Sequence, residues 1–197
     1  MQVPGIFLYS GTDPIRLHAY ATDLSKVGYF HRNTVLQFLK FTTRTIAQRV
    51  TSGGNLYVEV EHELPYVVHS HRESSGGWCL CLVTERDYPM PVAQRWLRKL
   101  LESYVGASLG IGPEPSKEDE EFRDLIKEAQ DPAKIDKLSK ITQQLEEIKA
   151  ITLQNISQVI ARGESLDSLM QKSDDLSRNS KIFAGEAKRL NRCCKYY

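Results

Sequence analysis

A run of heptads in the last third of the chain constrains the fold more than any other feature. Between Leu138 and Leu190, sixteen positions alternate at steps of three and four residues, and eleven of them are apolar. The sixteen positions are Leu138, Ile141, Leu145, Ile148, Thr152, Asn155, Val159, Arg162, Leu166, Leu169, Ser173, Leu176, Ser180, Phe183, Ala187 and Leu190. The spacing predicts one face of a helix of roughly 80 Å at 1.5 Å per residue. A helix of that length needs partner helices.

The heptad segment, residues 138–190, is poorly suited to stand alone as a helix. Gly163 and Gly185 each disfavour helix by about 1 kcal/mol relative to alanine. The face also contains four polar positions besides the arginine, which are Thr152, Asn155, Ser173 and Ser180. We therefore expect the isolated segment to be disordered or folded back, and to become a helix when it binds its partners.

Arg162 places a guanidinium in the middle of the apolar face. In a two-stranded coil it would fix the register, with its charge reaching out of the interface. Alternatively, partner helices bring neutral acceptors to this layer, because five N–H donors in a flat fork suit side-chain amide carbonyls. Three glutamines, one from each of three partner helices, would satisfy it.

The chain before the heptads predicts a compact α+β unit with an antiparallel sheet. Two strands, at 3–10 and 14–21, flank a turn at Gly11–Pro14. A helix over about 33–50 follows, with Val35, Leu39, Thr42 and Ile46 on one face. Three strands come next, at 55–62, 64–72 and 77–84, with a hairpin turn at 73–77 between the last two. An amphipathic helix begins after Pro91, with Ala93, Trp96, Leu97, Leu100, Leu101 and Tyr104 on its apolar face.

Two further helix starts are predicted before the heptad segment. Residues 105–116 are rich in Gly, Pro and Ser and indicate a loop. Ser116 is expected to cap a short helix, with Asp119 three residues later as in a capping box. Asp131 and Pro132 form the second start signal, an N-cap followed by proline.

Overall composition argues against several classes of protein. The net charge is +1, with 26 basic and 25 acidic residues, which gives no general attraction to nucleic acid or anionic membranes. The longest uncharged apolar run, 78–83, is far short of the ~20 residues that span a bilayer. Met1 to Ser10 lacks the features of a signal peptide, so we expect a cytosolic chain. The four cysteines do not form a secreted disulfide framework.

Catalytic and metal sites have little support. No Gly-rich phosphate loop, G-x-S-x-G turn or H-E-x-x-H helix is present, so we expect no enzyme and no cofactor. One alternative is a zinc site on the hairpin, if His71 faces Cys79 and His69 faces Cys81. Alternating strand spacing arises readily without a metal, however, and structural zinc sites usually have C-x₂₋₄-C knuckles.

The sequence resembles the longin-type R-SNARE family. The run from Asn155 to Leu190 is similar to the synaptobrevin-type motif, in which an arginine, followed by a glycine and an acidic residue, forms the ionic layer of a parallel four-helix bundle. Arg162, Gly163 and Glu164 match that motif. Residues 1 to about 130 resemble a longin domain through their order of elements and the runs GYFHRNT and DYP, at 28–34 and 87–89. The whole resembles the prenylated kind, which lacks a membrane span and ends in paired cysteines.

The resemblance implies a domain organisation, partners and a function. It implies a longin regulatory domain at 1–130 with a five-stranded antiparallel sheet, an R-SNARE motif at 131–192 and a lipidated tail at 193–197. It also implies that Arg162 meets one glutamine from each of three Q-SNARE helices, in a bundle that drives fusion of vesicle and target membranes. The chain is then expected to cycle between the cytosol and Golgi, endosomal or vesicle membranes.

Phe41 and the C-terminal cysteines complete the set of candidate residues. Phe41 lies about 120° from the apolar face of its helix, where an aromatic ring is often partly covered surface. The resemblance instead places it in a groove that receives the protein's own SNARE segment or its lipid. It also implies a palmitoyl group on Cys193 and a prenyl group on Cys194. The ending Cys194-Lys195-Tyr196-Tyr197 keeps the spacing of a prenylation box, yet Lys195 and Tyr196 are not aliphatic. Acylation of either cysteine, or two unmodified thiols, are the alternatives.

A second function stays open from the sequence. A longin-like scaffold could use its heptads for a homomeric or tethering coiled coil without fusion activity. It predicts strong helicity and self-association of residues 131–192 alone, whereas the SNARE interpretation predicts weak helicity until three glutamine-bearing helices are added.

Overall fold

The computed structural model describes residues 3–60, 66–75, 77–105, 113–140, 153–160, 163–174 and 176–181, except the side chains of 105 and 137–140. In this part of the chain, six strands form one sheet in the order β2-β1-β5-β4-β3-β6. The strands are β1 (Gly5–Ser10), β2 (Arg16–Thr22), β3 (Asn55–Glu59), β4 (Tyr66–Arg72), β5 (Trp78–Glu85) and β6 (Leu153–Asn155). Neighbouring strands are antiparallel except for β6, which runs parallel to β3.

Helices cover both faces of the sheet. One face is covered by α1 (Arg32–Ala47), and the other by α2 (Met90–Val105), α3 (Glu120–Ala129) and α4 (Pro132–Lys140). The central strand β1 is therefore apolar on both sides: Phe7 and Tyr9 belong to the core on the α1 side, and Ile6 and Leu8 to the core on the α2 side.

The helices confirm most of the sequence-based predictions and correct one. Val35, Leu39, Thr42 and Ile46 of α1 are all buried, as their spacing predicts. Asp131 accepts hydrogen bonds from the amides of residues 133 and 134 and caps α4. The predicted cap at Ser116 is wrong: α3 begins at Glu120, and Asp119 itself is the N-cap, accepting from the Phe122 amide at 3.2 Å. A capping box would put Asp119 at the third helical position, but its short carboxylate suits the N-cap better.

Arg72 fixes the far end of α1 against the sheet. Its side chain is buried, and its guanidinium donates to the carbonyls of Ala47 at 2.7 Å, Val50 at 2.9 Å and Gly11 at 2.9 Å. Carbonyls at a helix C-terminus carry partial negative charge, so a cation is stabilising there. The contact joins α1 to the β1–β2 turn and positions the helix as one wall of the site described next.

The sixth strand was not predicted. The five predicted strands β1–β5 do form an antiparallel sheet, but β6 comes from the heptad segment, whose pattern predicts helix. Its three residues pair with the outer edge of β3, Leu153 opposite Tyr57 and Asn155 opposite Glu59. The unpaired backbone groups at the edge of β3 form these hydrogen bonds. Because they are backbone groups, the spacing of the heptad side chains does not predict the pairing.

Candidate functional site

The described part of the heptad segment is folded back across the N-terminal domain. After β6 it forms two short helices, α5 (Ile156–Val159) and α6 (Leu166–Lys172), and a helical turn at 178–181. It follows the edge of β3 and then the exposed side of α1, so the chain covers its own surface. We call the covered surface the groove; its walls are β3 and α1.

Local capping signals explain why this stretch is not one continuous helix. Asn155 caps α5: its side-chain oxygen accepts from the Ser157 amide at 3.0 Å, while the Gln158 side-chain oxygen accepts from the Asn155 amide at 2.9 Å. Ser165 caps α6 by accepting from the Ser168 amide at 3.1 Å. Gly163 lies between the two helices with φ +90°, a conformation that L side chains rarely adopt.

Apolar side chains fill the groove. Five buried residues of the heptad segment join the same hydrophobic core as α1 and the sheet: Ile156, Ile160, Leu166, Met170 and Leu176. Phe41 belongs to that core and is only 4% exposed. α1 is therefore buried on two sides, one against the sheet and one under the folded-back segment, which explains a buried ring about 120° from the predicted face.

The folded-back segment uses heptad and other positions together. Among heptad positions, Leu166, Leu176 and Ser180 are buried, and Val159 and Leu169 pack partly buried against the core. Asn155 and Ser173 are half-buried. Ile156, Ile160 and Met170 are buried although they lie outside the heptad face. The heptad pattern alone does not identify these three residues; their apolar character beside capping residues was the available signal.

Two polar contacts hold the segment in place. Gln37 of α1 accepts from the Ser177 amide at 2.8 Å and from the Ser180 hydroxyl at 2.9 Å through the same oxygen. Arg49, just beyond the end of α1, lies 3.6 Å from Glu164. Both partners of that ion pair are partly exposed, so it stabilises weakly. Sequence reasoning identified neither Gln37 nor Arg49.

Several predicted site residues lie outside the described residues. They are Arg162 of the proposed ionic layer, Cys193 and Cys194 of the tail, and the heptad positions Ile141, Leu145, Ile148, Thr152, Phe183, Ala187 and Leu190. For Leu138 the backbone of α4 is described and the side chain is not.

The register of the β4–β5 hairpin rules out the two-histidine, two-cysteine constellation. His69 pairs with Leu82 and His71 with Leu80, one residue away from the predicted partners. A shift of one residue places side chains on opposite faces of a sheet. Cys79 and Cys81 therefore lie in the core under α1, where the Cys81 thiol donates to the Thr43 carbonyl.

His69 is instead a buried histidine of the opposite face. Its Nε2 lies 3.0 Å from the Thr84 hydroxyl, and its ring stacks on Tyr57 with 4.7 Å between centroids. Burial lowers the pKa of His69 to about 3, because the charged imidazolium loses its hydration there. Burial similarly raises the pKa of the Cys81 thiol. Neither group is poised for chemistry near neutral pH.

Comparison with known proteins identifies relatives of the heptad segment and of the chain as a whole. The sequence profile of the synaptobrevin family matches residues 137–196. Over 178 residues, the chain is 38% identical to the Synaptobrevin homolog YKT6 of Candida glabrata, covering 87% of this chain and 85% of that protein. It is 34% identical over 200 residues to the Synaptobrevin homolog YKT6 of Saccharomyces cerevisiae, covering 96% of each. It is 38% identical over 188 residues to the VAMP-like protein YKT61 of Arabidopsis thaliana, covering 93% and 91%.

Proposed function

The chain belongs to the synaptobrevin family, and from that premise we propose that it is an R-SNARE whose heptad segment has two mutually exclusive partners. One partner is its own longin domain, residues 1–130, in a closed state. The other is a set of three Q-SNARE helices, with which it forms the four-helix bundle that drives fusion of a vesicle with its target membrane. The alternation between the two would regulate fusion.

The observation that carries this proposal is the burial of heptad positions inside the groove. Leu166, Leu176 and Ser180 are buried against the longin domain, and the same side chains would face the interior of a four-helix bundle. One side chain cannot do both at once. A bundle that includes the layers from Leu166 to Ser180 therefore requires the segment to leave the groove.

The closed state need not be very stable to regulate assembly. Each tenfold excess of closed over open molecules corresponds to about 1.4 kcal/mol. A closed state favoured by only a few kcal/mol would therefore already withhold most molecules, and burial of the layers of a four-helix bundle could overcome it.

Gly163 suits both states of the segment. In the groove its positive φ lets the chain turn between α5 and α6. In a helical bundle the same glycine would cost about 1 kcal/mol relative to alanine, a small loss against the burial of several layers. We propose that the glycine beside Arg162 permits both the turn and the helix.

The ionic layer is the most specific part of the bundle proposal. Arg162 would meet three glutamine side chains, one per partner helix, whose carbonyl oxygens accept from its guanidinium. A buried guanidinium with no such acceptors would be strongly destabilising. The layer would thus fix the register of the four helices.

Circular dichroism on mixtures tests the bundle proposal. Residues 131–192 alone should show weak helicity, and adding three glutamine-bearing helices should produce a large cooperative gain. Replacing the three facing glutamines by alanine should lower the stability of the assembled bundle while Arg162 is retained. Strong helicity and self-association of 131–192 alone would instead support the homomeric scaffold, and a bundle unaffected by the glutamine replacements would contradict the ionic layer.

We also propose that the tail attaches the protein to membranes through lipids. In the part of the chain described, no helix is long and apolar enough to cross a bilayer. From Arg178 onward the sequence carries a net charge of +5, and each cation near an anionic surface contributes on the order of 1 kcal/mol. Stable attachment generally needs two signals, which a prenyl group on Cys194 and a palmitoyl group on Cys193 would supply.

Intact mass of the membrane-bound protein from its native host tests the lipid anchor. The expected result is one isoprenoid and one acyl adduct, with the isoprenoid lost in Cys194→Ser and the acyl group lost in Cys193→Ser. An unmodified tail on the membrane-bound fraction would contradict it.

A further inference from the structure

Two aromatic rings stand in solvent at the start of α1. Tyr29 and Phe30 belong to a 3-10 turn at Tyr29–His31, and they are 77% and 90% exposed. Their rings meet edge to face with 5.6 Å between centroids. Such exposure forgoes the burial free energy of two large apolar side chains, and aromatic side chains of this kind are frequent at water–membrane boundaries.

Hydrogen bonds within residues 25–32 hold the turn that carries the two rings. Arg32 donates from Nε to the Val27 carbonyl at 3.1 Å and from Nη2 to the Ser25 carbonyl at 3.3 Å. Its guanidinium carbon also lies 6.0 Å from the centre of the Tyr29 ring. The His31 amide donates to the Gly28 carbonyl at 2.8 Å. The rings are therefore presented by a fixed turn, which lowers the entropic cost of a contact with a partner.

The sequence around the pair is rich in cations. Residues 24–33 contain Lys26, His31 and Arg32 and no carboxylate, although Asp23 precedes them and Glu118 lines the same pocket as Arg32. The Lys26 side chain is 67% exposed, although its ammonium lies 3.8 Å from Glu85. Aromatic rings flanked by cations match the boundary of an anionic bilayer, where rings enter the headgroup region and cations meet lipid phosphates.

The last described turn of the heptad segment lies near the same end of α1. It contacts Gln37, which is seven residues from Phe30 along the chain, or about 10 Å along a helix. Residues 182–197, which follow this turn in the sequence, carry a net charge of +3.

We propose that Tyr29 and Phe30 form a membrane-contacting tip that enters the headgroup region of an anionic phospholipid bilayer, with Lys26 facing the lipid phosphates and Arg32 holding the turn. The tip is exposed while the heptad segment occupies the groove, so the contact is available to the closed protein. This contact requires neither the bundle nor the lipid groups of the tail, and its failure would leave both of those proposals untouched.

Vesicle flotation of the full chain produced in bacteria, without lipid groups, tests the tip. The wild type should float with phosphatidylcholine vesicles that contain phosphatidylserine, and more weakly with phosphatidylcholine alone. Tyr29→Ser combined with Phe30→Ser should weaken binding about tenfold, a factor typical of losing partial burial of apolar rings. Lys26→Ala should weaken binding only to the anionic vesicles. Lys127→Ala is the matched control, because that exposed lysine lies on α3, on the other face of the sheet.

A second variant reports the location of the contact directly. Phe30→Trp should keep vesicle binding, and brominated lipids should quench its extra fluorescence beyond the quenching seen in the wild type, which already contains Trp78 and Trp96. Circular dichroism of each variant verifies the fold. Absence of wild-type flotation, equal flotation of the double serine variant, or an introduced indole that bromine does not quench would each overturn the proposal.

Discussion

The side-chain carbonyl of Gln37 accepts a hydrogen bond from the hydroxyl of Ser180, 2.9 Å away. Gln37 belongs to α1 of the longin domain, and Ser180 is a heptad position that is only 2% exposed. The contact joins the longin domain to a residue that a four-helix bundle would enclose. In the proposed closed state, this hydrogen bond adds to the apolar contacts in the groove.

Gln37→Ala should favour the open state. The substitution removes the acceptor for both Ser177 and Ser180, and each lost hydrogen bond lowers stability by about 0.5–1.5 kcal/mol. Amides of 176–181 should then exchange with deuterium about tenfold faster or more. Gln48→Ala, at an exposed position at the end of the same helix, is the control and should leave these rates unchanged.

Ile160→Ser should weaken closure and spare the bundle. Ile160 is buried in the groove, but it follows Val159 and precedes Arg162 in the heptads, which places it on the outer side of a bundle. Loss of its burial should favour opening by roughly 2 kcal/mol. Small-angle scattering should show a more extended chain, while the melting temperature of the assembled bundle stays the same. Leu166→Ser is the comparison, because a substitution at a heptad position should weaken both the closed state and the bundle. If the two variants lowered the stability of the bundle equally, the placement of Ile160 on its outer side would be contradicted.

Phe41→Glu should expel the heptad segment from the groove. A carboxylate in that apolar core would lose its hydration without a compensating partner, which is strongly unfavourable. The expected result is a larger radius of gyration and a shift toward membranes. Phe41→Leu keeps an apolar side chain and should stay compact. Unchanged compactness of a folded Phe41→Glu protein would speak against the groove.

Acid should destabilise the longin domain through His69. Its pKa is about 3 in the folded chain against an ordinary value of 6.5, so the unfolded chain binds the proton first as pH falls. The stabilisation is complete above pH 6.5 and is lost toward pH 3, by about 1.4 kcal/mol per pH unit for one proton. Burial, followed by the nearby Arg98 charge, also lowers the pKa of His71. Between pH 7 and 5, the free energy of unfolding of His69→Phe, measured with denaturant, should therefore change less with pH than that of the wild type. An equal change would exclude His69 as a source of the acid destabilisation.

The order of elements in the longin domain was predictable from local signals. Strand alternation, Gly and Pro punctuation and the periodicity of α1 and α2 placed five strands and two helices. The wrong predictions concern features that change completely when the chain shifts by one or a few residues. The hairpin register differed by one residue, which separated His69 and His71 from the two cysteines, and Asp119 took the cap that was assigned to Ser116.

The groove was less predictable because, in the proposed function, one sequence serves two partners. The heptad spacing indicates only the face that partner helices would cover. Strand β6 depends instead on the open edge of β3, far away in the sequence, and the turn at Gly163 depends on the path of the folded-back chain. Capping residues at Asn155 and Ser165 were visible signals of helix breaks. Gln37, on a face of α1, and Arg49, just beyond its end, carried no signal, since an exposed polar residue is ordinary until its partner is known.

The rate of bundle assembly tests the central claim most directly. Three glutamine-bearing helices are mixed with the full chain, with its Ile160→Ser variant, or with residues 131–192 alone, and the gain of helicity is followed in time. We expect the full chain to assemble at least about tenfold more slowly than the isolated segment, since only the open fraction reacts, with the variant in between. Equal rates for the full chain and the isolated segment would contradict a groove that withholds the heptads from partner helices.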